Sequence, residues 1–264
     1  MSQPMQILQH QPSSPEAQQL AAMYQLGTPQ TEYRVRIKKR TAISAIIFGI
    51  LLGGLFGLIA FNSSDSGTTI IMLLIGLIFV GLALYTLLAP IIYRSWRVYI
   101  CTDGFAFVRG SNNIEAFRWD QVEAMWQSVT RRYTNGIYTG TTHRYTIRRR
   151  DGKQVVINDR FADAEEIGNT LSRAITNYLL PLAISTYHAG NTLTFGALSV
   201  SMQGVSNGKE LVPWNQIKEI GMNRGVVTVK KEGKWLNWSS ILVAKVPNIF
   251  VFMALVNYIL KNKK

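Results

Sequence analysis

Residues that build metal and covalent sites are scarce in this 264-residue chain. Cys101 is the only cysteine, so neither an intrachain disulfide nor a cysteine metal cluster can form. The histidines at positions 10, 143 and 188 lie far apart and outside any HExxH or CxxC pattern. We therefore expect no metal and no cofactor. A lone cysteine also fits a reducing compartment.

Motifs of known catalytic chemistry are missing as well. The sequence has no nucleophile elbow, no phosphate-binding loop and no paired-carboxylate motif. Its densest acidic group stands at the start of a predicted helix, where negative charge complements the helix dipole. The group consists of Asp159, Asp163, Glu165 and Glu166. We predict a protein that is not an enzyme; the alternative is a membrane-associated enzyme with an unrecognised site.

Two long stretches contain no charged residue and no histidine. They cover residues 42–61 and 70–93, and a short polar turn separates them. Crossing the hydrocarbon core of a bilayer takes roughly 20 apolar residues in a helix. We predict a transmembrane hairpin with these two spans. Because neither span offers an ionisable group for a transport path, a transporter or channel subunit is the least favoured function.

Basic residues flank the predicted hairpin at one end only. Arg36, Lys38, Lys39, Arg40, Arg94 and Arg97 stand there together with Trp96, whereas the connecting turn has no Lys or Arg. Lys and Arg are retained in short cytoplasmic flanks, so we predict a multi-pass cell-membrane protein with both termini in the cytoplasm. We expect these seven side chains to contact lipid, the basic ones through phosphates and Trp96 at the interface.

Three glycines recur at four-residue spacing in the first span. Gly49, Gly53 and Gly57 lie on one helix face, and small residues there permit close approach of another helix. The partner is either the second span or the same helix of another protomer. Packing within the hairpin is the simpler alternative.

Charge is unevenly distributed outside the hairpin. The chain carries 28 basic and 15 acidic residues; residues 98–180 hold 11 and 9 of them, and residues 181–264 hold 10 and 3. Basic residues beside an anionic leaflet contribute about 1 kcal/mol each to membrane attraction. Because zinc-finger spacing and RNA-binding aromatic motifs are missing, we favour a membrane surface over nucleic acid as the partner.

The remaining segments divide by their pattern. Residues 1–30 are rich in Gln, Pro and Ser, which predicts a disordered tail, either a spacer or a docking peptide. Residues 31–97 hold the basic flank and the hairpin. From residue 98 onward short alternating runs predict strands, with Asp151-Gly152 as a hairpin turn. Residues 161–180 then show helical spacing.

This order occurs twice. Trp119-Asp-Gln-Val is matched by Trp214-Asn-Gln-Ile 95 residues later, and Thr146 by Thr228 82 residues later. We infer an internal duplication with domains at 98–180 and 181–264 and an insertion in the first copy at residues 133–142. Residues 249–260 are too short to span a membrane. They form the closing helix of the second copy or, alternatively, an interfacial helix.

The strand and turn residues of the first copy resemble those of a known family. Val98-Tyr-Ile-Cys-Thr-Asp-Gly-Phe-Ala-Phe-Val-Arg-Gly and Phe117-Arg-Trp-Asp-Gln-Val-Glu are similar to the opening strands and tryptophan turn of bacterial pleckstrin-homology-like (PH-like) membrane proteins. The whole arrangement resembles uncharacterised bacterial families with a transmembrane hairpin and PH-like domains. This resemblance implies an α+β fold in which the hairpin precedes two tandem PH-like domains, each a curved antiparallel sheet with a C-terminal helix. It implies membrane association and supplies no catalytic residue.

Candidate binding residues follow from exposed charge and aromatics. The loop at Thr102-Asp103-Gly104 is acidic and tight, unlike the basic loop with which eukaryotic PH domains hold head groups. We expect either an anionic-surface contact or a solvated sheet rim at Arg131, Arg132, Arg148, Arg150 and Lys153. Tyr133, Ile137 and Tyr138 are either contact anchors or packed residues, as are Lys230, Lys231, Lys234, Trp235 and Trp238.

These observations together predict the function. We expect a membrane-anchored, non-enzymatic binding or scaffold protein that presents two cytoplasmic PH-like domains. Its partners are anionic lipid head groups, another protein or a second copy of the chain.

Overall fold

The computed structural model describes residues 14–35, 39–110 and 113–262. The chain forms two compact units. The smaller unit comprises Arg34–Arg97 and Val108–Asn113. The larger unit comprises Val98–Phe107, Ile114–Lys264 and the part before Arg34.

The smaller unit is built on two apolar helices, α2 at Lys39–Phe61 and α3 at Ser66–Tyr93. Both are long and apolar enough to cross a membrane, over Ile43–Phe61 and Ser66–Tyr93. Helix α3 begins four residues before the predicted span because Asp65 caps it, its carboxylate accepting the Thr68 N–H at 2.7 Å. The helices pack closely, with the Phe56 and Phe79 rings stacked at 5.7 Å.

The larger unit opens with helix α1 at Pro15–Met23 and a four-stranded sheet. The sheet order is β1 (Pro29–Arg34), β2 (Trp96–Cys101), β3 (Gly104–Arg109) and β4 (Ile114–Arg118). A 3-10 turn at Trp119–Gln121 leads into an antiparallel meander of β5 (Val122–Thr134), β6 (Ile137–Arg149) and β7 (Gln154–Asn158). Helix α4 (Ala164–His188) follows. We call α1, the strands β1–β7 and α4, without the helix pair α2 and α3, the first half.

The second half repeats the sheet, the 3-10 turn, the meander and the closing helix, without counterparts of α1 and of the helix pair that lies between β1 and β2 in the chain. A four-stranded sheet holds β8 (Leu193–Phe195), β9 (Leu198–Val200), β10 (Gly204–Ser206) and β11 (Leu211–Pro213). A 3-10 turn at Trp214–Gln216 precedes the meander of β12 (Ile217–Asn223), β13 (Val226–Lys231) and β14 (Asn237–Leu242). After a 3-10 turn at Val243–Lys245, helix α5 (Ile249–Asn262) ends the fold.

The two tryptophan turns also agree in detail. The indole N–H of Trp119 donates to the Thr102 carbonyl at 2.8 Å, and that of Trp214 donates to the Ser201 carbonyl at 3.0 Å. A register shift follows each turn, between Val122 and Ala124 and between Ile217 and Glu219. Each indole therefore ties the start of a meander to the preceding sheet, and both tryptophans are buried.

The predicted disorder of residues 1–30 is wrong for the part that the structure describes; residues 1–13 lie outside it. Ser14 caps α1 by accepting the Ala17 N–H, and Leu26 is fully buried. The Asp103 N–H donates to the Leu26 carbonyl at 2.9 Å, which fixes this segment against the sheet. A few apolar residues suffice here because they complete the core of the first half instead of forming their own.

The predicted helix at 161–180 differs from the observed one in its end. Helix α4 continues through Pro181 to His188 and stops only where Gly190 adopts a φ of +80°. Ile167 and Leu171 are buried in its N-terminal part, whereas Ala183 and Tyr187 belong to the core of the second half. The boundary expected at residue 180 therefore lies inside one helix that serves both halves.

Helix α5 is a core helix. Phe252, Leu255 and Val256 are fully buried and pack with the strands of the second half. Its apolar face is thus covered by protein, which disfavours the interfacial alternative.

Candidate functional site

The two halves of the larger unit meet at a small polar junction. Asn248 adopts a φ of +52° just before α5. Its side-chain oxygen accepts the Met125 N–H at 2.9 Å, its amide nitrogen donates to the Glu123 carbonyl at 2.9 Å, and its backbone N–H donates to the Met125 carbonyl at 2.8 Å. One residue of the second half thereby continues the hydrogen bonding of strand β5.

A cavity lies beside this junction. It has a volume of about 10 Å³, enough for a single water molecule. Its lining contains no ionisable side chain; it consists of Met125, Gln127, Ser172, Ile175, Thr176, Asn248, Ile249, Phe250 and Val251. Among the described residues there is also no cluster of three or more potential metal ligands. The junction can hold the halves together but has no room for a substrate.

The most prominent surface feature is the hairpin of β5 and β6. Both strands have 13 residues, whereas their counterparts β12 and β13 have 7 and 6. Strand β7 pairs with β6 only from Arg144 to Arg148, so residues 129–142 form a two-stranded extension. We call these residues the hairpin tip.

The insertion predicted at residues 133–142 is part of the paired hairpin tip. Its ladder is paired up to Thr134 and Ile137, and Asn135-Gly136 closes it with φ values of +50° and +78°. Positive φ at both central residues is the signature of a type I′ turn, which Asn-Gly favours. The Asn-Gly pair was the signal that sequence reasoning missed.

Large side chains of the hairpin tip are exposed. Ile137 is 71% exposed, Tyr133 60% and Tyr138 54%. The two tyrosine rings meet edge to face at 5.9 Å, and the Tyr138 hydroxyl is 2.7 Å from that of Thr141. These contacts organise the rings without covering them. The three side chains are thus exposed, while the two tyrosines also pack against each other within the hairpin.

The five basic residues predicted as an anionic-surface contact do not form one patch. Arg131 pairs with Thr141, whereas Arg150 and Lys153 lie beyond the opposite end of β6. From Thr141 to Arg150 an extended strand covers about 30 Å. The sequence prediction grouped these residues because it placed them on neighbouring strands of one long hairpin; the observed register separates them along that hairpin.

Arg148 is engaged by its neighbours. Its guanidinium donates two hydrogen bonds of 2.8 Å to the Glu123 carboxylate and lies 4.9 Å from the centre of the Trp126 ring. This charge is thus compensated within the protein. Among the described residues, neither Arg131 and Arg132 nor Arg150 and Lys153 have an ion-pair partner.

Arg149, which was not a predicted contact, supports the turn after β6. It donates to the Asp151 carboxylate and, at 2.7 Å, to the Ala116 carbonyl. The hydrogen bonds from Arg149 hold the pKa of Asp151 down to about 2. This arrangement ties the β6–β7 turn to strand β4.

The predicted juxtamembrane residues are described only in part. Arg36 and Lys38 lie outside the described residues, and Lys39 and Arg40 are the first residues of α2. Arg94 is exposed and caps the C-terminus of α3. The Trp96 ring, next to Arg97 in the chain, meets the Tyr93 ring edge to face at 4.8 Å. The Val35 N–H donates to the Trp96 carbonyl at 3.3 Å, so the strands that enter and leave the helix pair lie side by side.

Two of the three predicted packing glycines face the second helix. A Cβ at Gly49 would lie 2.9 Å from that of Ala83, and one at Gly53 would lie 2.7 Å from Val80 Cγ2. Among the described residues, no atom lies within 4 Å of a Cβ built at Gly57. Gly49 and Gly53 therefore allow the two helices of the pair to approach each other closely.

The charged and aromatic residues of the second half separate into two groups. Glu210 binds Lys231 and accepts the Trp238 indole N–H at 2.8 Å, and these contacts lower its pKa. Lys230 pairs with Glu219 at 3.0 Å. Trp235 and Leu236, next to Lys234 in the β13–β14 loop, are instead almost completely exposed. The first group forms contacts within the second half, whereas the side chains of Trp235 and Leu236 lie in solvent.

Comparison with known proteins gives one match. A model described as a family of unknown function (DUF6585) covers residues 1–264, so the chain belongs to that family. No curated protein and no solved structure matches the chain.

Proposed function

We propose that the chain is a membrane-anchored, non-enzymatic binding or scaffold protein. A transmembrane hairpin holds two tandem PH-like domains at the cytoplasmic face, where they meet anionic lipid or a protein partner. The observation that carries this proposal is the helix pair: each helix contains a charge-free stretch of spanning length, and the chain segments that enter and leave the pair are hydrogen-bonded through Val35 and Trp96. A hairpin of this kind returns the chain to the side from which it came.

The PH-like assignment is supported by the order of elements. Each half has a four-stranded and a three-stranded sheet followed by a helix, the order of a curved sheet with a C-terminal cap. The matched tryptophan turns support a duplication. Shared helix α4 and the Asn248 contacts make the pair one compact unit, as suits a scaffold.

A binding role is supported over a catalytic one by the junction. The cavity there holds one water at most and has no ionisable lining. The long hairpin instead exposes aromatic and basic side chains on its paired extension, which suits contact with a partner.

Topology can be tested by cysteine labelling in intact cells. The native thiol is a clean background, because Cys101 is 2% exposed and burial raises its pKa to about 11. We expect Ser63→Cys, in the turn between the helices, to react with a membrane-impermeant maleimide added outside. Lys209→Cys, in the larger unit, should react only after permeabilisation.

The unsubstituted chain is the control and should stay unlabelled until it is unfolded. Two results would contradict the proposed orientation. One is labelling of Lys209→Cys from outside; the other is a Ser63→Cys variant that reacts only after permeabilisation. Extraction of the chain by alkaline carbonate would contradict membrane insertion itself.

A further inference from the structure

We infer that the hairpin tip is a lipid-contact element. Tyr133, Ile137 and Tyr138 enter the head-group region of an anionic membrane, while Arg131 and Arg132 bind lipid phosphates. The inference deepens the proposed function and rests on its membrane anchoring. It commits to a bilayer surface as the occupant, and a protein partner becomes an outcome of the test.

The first support is the length of the hairpin. The counterpart meander in the second half closes its turn at Arg224-Gly225 after short strands. In the first half the same hairpin continues as the two-stranded tip, where Val129 is also 49% exposed. Extra strand length that adds no core residue, yet places aliphatic and aromatic side chains in solvent, indicates a surface with a partner.

The second support is the charge of the hairpin tip. Residues 129–142 include Arg131 and Arg132 and no acidic residue. Elsewhere in the same half, Arg118 pairs with Asp120 at 3.1 Å and Arg148 with Glu123 at 2.8 Å. The tip arginines have no such partner among the described residues. Their charge is thus available to an anion, and the fork of a guanidinium fits phosphate.

The third support is the kind of side chains at the hairpin tip. A tyrosine has an apolar ring and a polar end, which favours the boundary between head groups and acyl chains. Ile137, beside the turn, is the most exposed of the three apolar anchors. A two-stranded tip of this composition can enter a fluid surface that offers no complementary pocket. We therefore favour lipid over a folded protein as the occupant.

The test uses the full chain reconstituted in vesicles, with a polarity-sensitive fluorophore on Thr139→Cys. Thr139 is exposed next to Tyr138, and native Cys101 does not compete for the label. In vesicles with equal parts of phosphatidylcholine and phosphatidylserine, we expect a blue shift and quenching by lipids that are spin-labelled near the head group. Vesicles of phosphatidylcholine alone should give neither.

A pair of double variants separates this site from general electrostatics. Arg131→Gln with Arg132→Gln should weaken tip contact about 30-fold, as expected for two basic residues near an anionic surface. Arg150→Gln with Lys153→Gln removes the same charge at the opposite end of β6 and should leave the signal unchanged. Equal loss in both variants would overturn the inference.

Other outcomes are also decisive. Ile137→Ser with Tyr138→Ser should abolish quenching while leaving the charge unchanged, and retention of quenching would contradict insertion of these side chains. Absence of a lipid signal from protein that is shown to be inserted would overturn the inference in favour of a protein-facing tip, and the proposed anchoring would survive. Failure of the chain to insert would instead contradict the proposed function.

Discussion

Replacement of Gly204 by alanine is expected to destabilise the larger unit by about 3 kcal/mol, the upper range for forced overpacking. Gly204 begins β10 opposite Pro213 of β11. A Cβ there would overlap the Val212 carbonyl oxygen, and it would lie 2.7 Å from the Val212 carbonyl carbon and 2.9 Å from the Pro213 Cα. These are backbone atoms, so only a shift of the strand pair relieves the overlap. Thermal unfolding followed by tryptophan fluorescence should show a melting temperature lower by roughly 6–12 °C.

Gly104 provides an independent repetition of this test. It begins β3 at the corresponding place, and a Cβ there would overlap the Phe117 carbonyl oxygen and lie 2.9 Å from the Arg118 Cα. We expect Gly104→Ala to cause a loss similar to that of Gly204→Ala.

The matched control for both is Gly221→Ala. Gly221 also lies in a strand, but a Cβ there would meet only Glu219 Oε1 at 3.6 Å and Thr228 Oγ1 at 3.9 Å. Because this space is open, alanine should leave stability unchanged or raise it by about 0.5 kcal/mol. Equal melting temperatures for all three variants would show that the two close strand contacts do not limit stability.

The helix pair was the part of the fold most accessible from the sequence. A charge-free apolar run of this length predicts a helix long enough to cross a membrane, and only the ends of the two helices differed from expectation. Helix α3 starts at Ser66 because Asp65 caps it. A cap is a local signal, and Asp65 followed three residues later by Thr68 can be recognised in the sequence.

The order of strands and helices could also be predicted from the sequence, because its pattern is repeated. In each half the first meander strand begins three residues after the tryptophan, at Val122 and at Ile217. The Arg150 N–H donates to the Gln121 carbonyl, and the Glu232 N–H donates to the Gln216 carbonyl. The donors Arg150 and Glu232 are 82 residues apart in the sequence, and the acceptors Gln121 and Gln216 are 95 apart, which are the offsets of the repeat. A repeated sequence pattern thus corresponds to repeated hydrogen bonds.

Features that depend on contacts between residues far apart in the sequence could not be predicted from the sequence. The segment that contains helix α1 and Leu26 has a composition typical of disorder. It is ordered because Leu26 is buried and its carbonyl accepts a hydrogen bond from the Asp103 N–H. The role of Arg148 depends on Glu123, 25 residues away, which faces it across the β5–β6 ladder. Composition and periodicity describe local tendency, whereas these residues are placed by tertiary packing.

The candidate site was predicted in part. The sequence indicated Arg131, Arg132, Tyr133, Ile137 and Tyr138 as candidate contact residues, with a solvated rim or packing within the hairpin as the alternatives. The structure places them together at the hairpin tip. The register of the hairpin, which separates them from Arg150 and Lys153, depends on the type I′ turn and a bulge next to it. A shift of register moves side chains along and across a strand, so the geometry of such a surface requires the paired structure.

Replacement of Asn248 is the second change for which we expect a large effect. Asn248→Ala removes two side-chain hydrogen bonds to strand β5 and places alanine at a φ of +52°. Each lost bond costs about 1 kcal/mol and the left-handed conformation about 1 kcal/mol more, so the total is about 3 kcal/mol. Asn248→Gly loses the same bonds without the conformational cost and should be destabilised by about 2 kcal/mol.

The order of these two variants tests the origin of the effect. Thermal unfolding of the full chain should rank the natural residue above glycine and glycine above alanine. Hydrogen exchange followed by mass spectrometry should become faster in both variants around Met125, whose N–H loses its acceptor, before it changes around the Trp214 turn. If glycine equals the natural residue, the amide contacts contribute nothing and only the conformation of the chain at residue 248 matters. If exchange instead rises uniformly across both halves, Asn248 stabilises the larger unit as a whole and its contacts do not act locally at the junction.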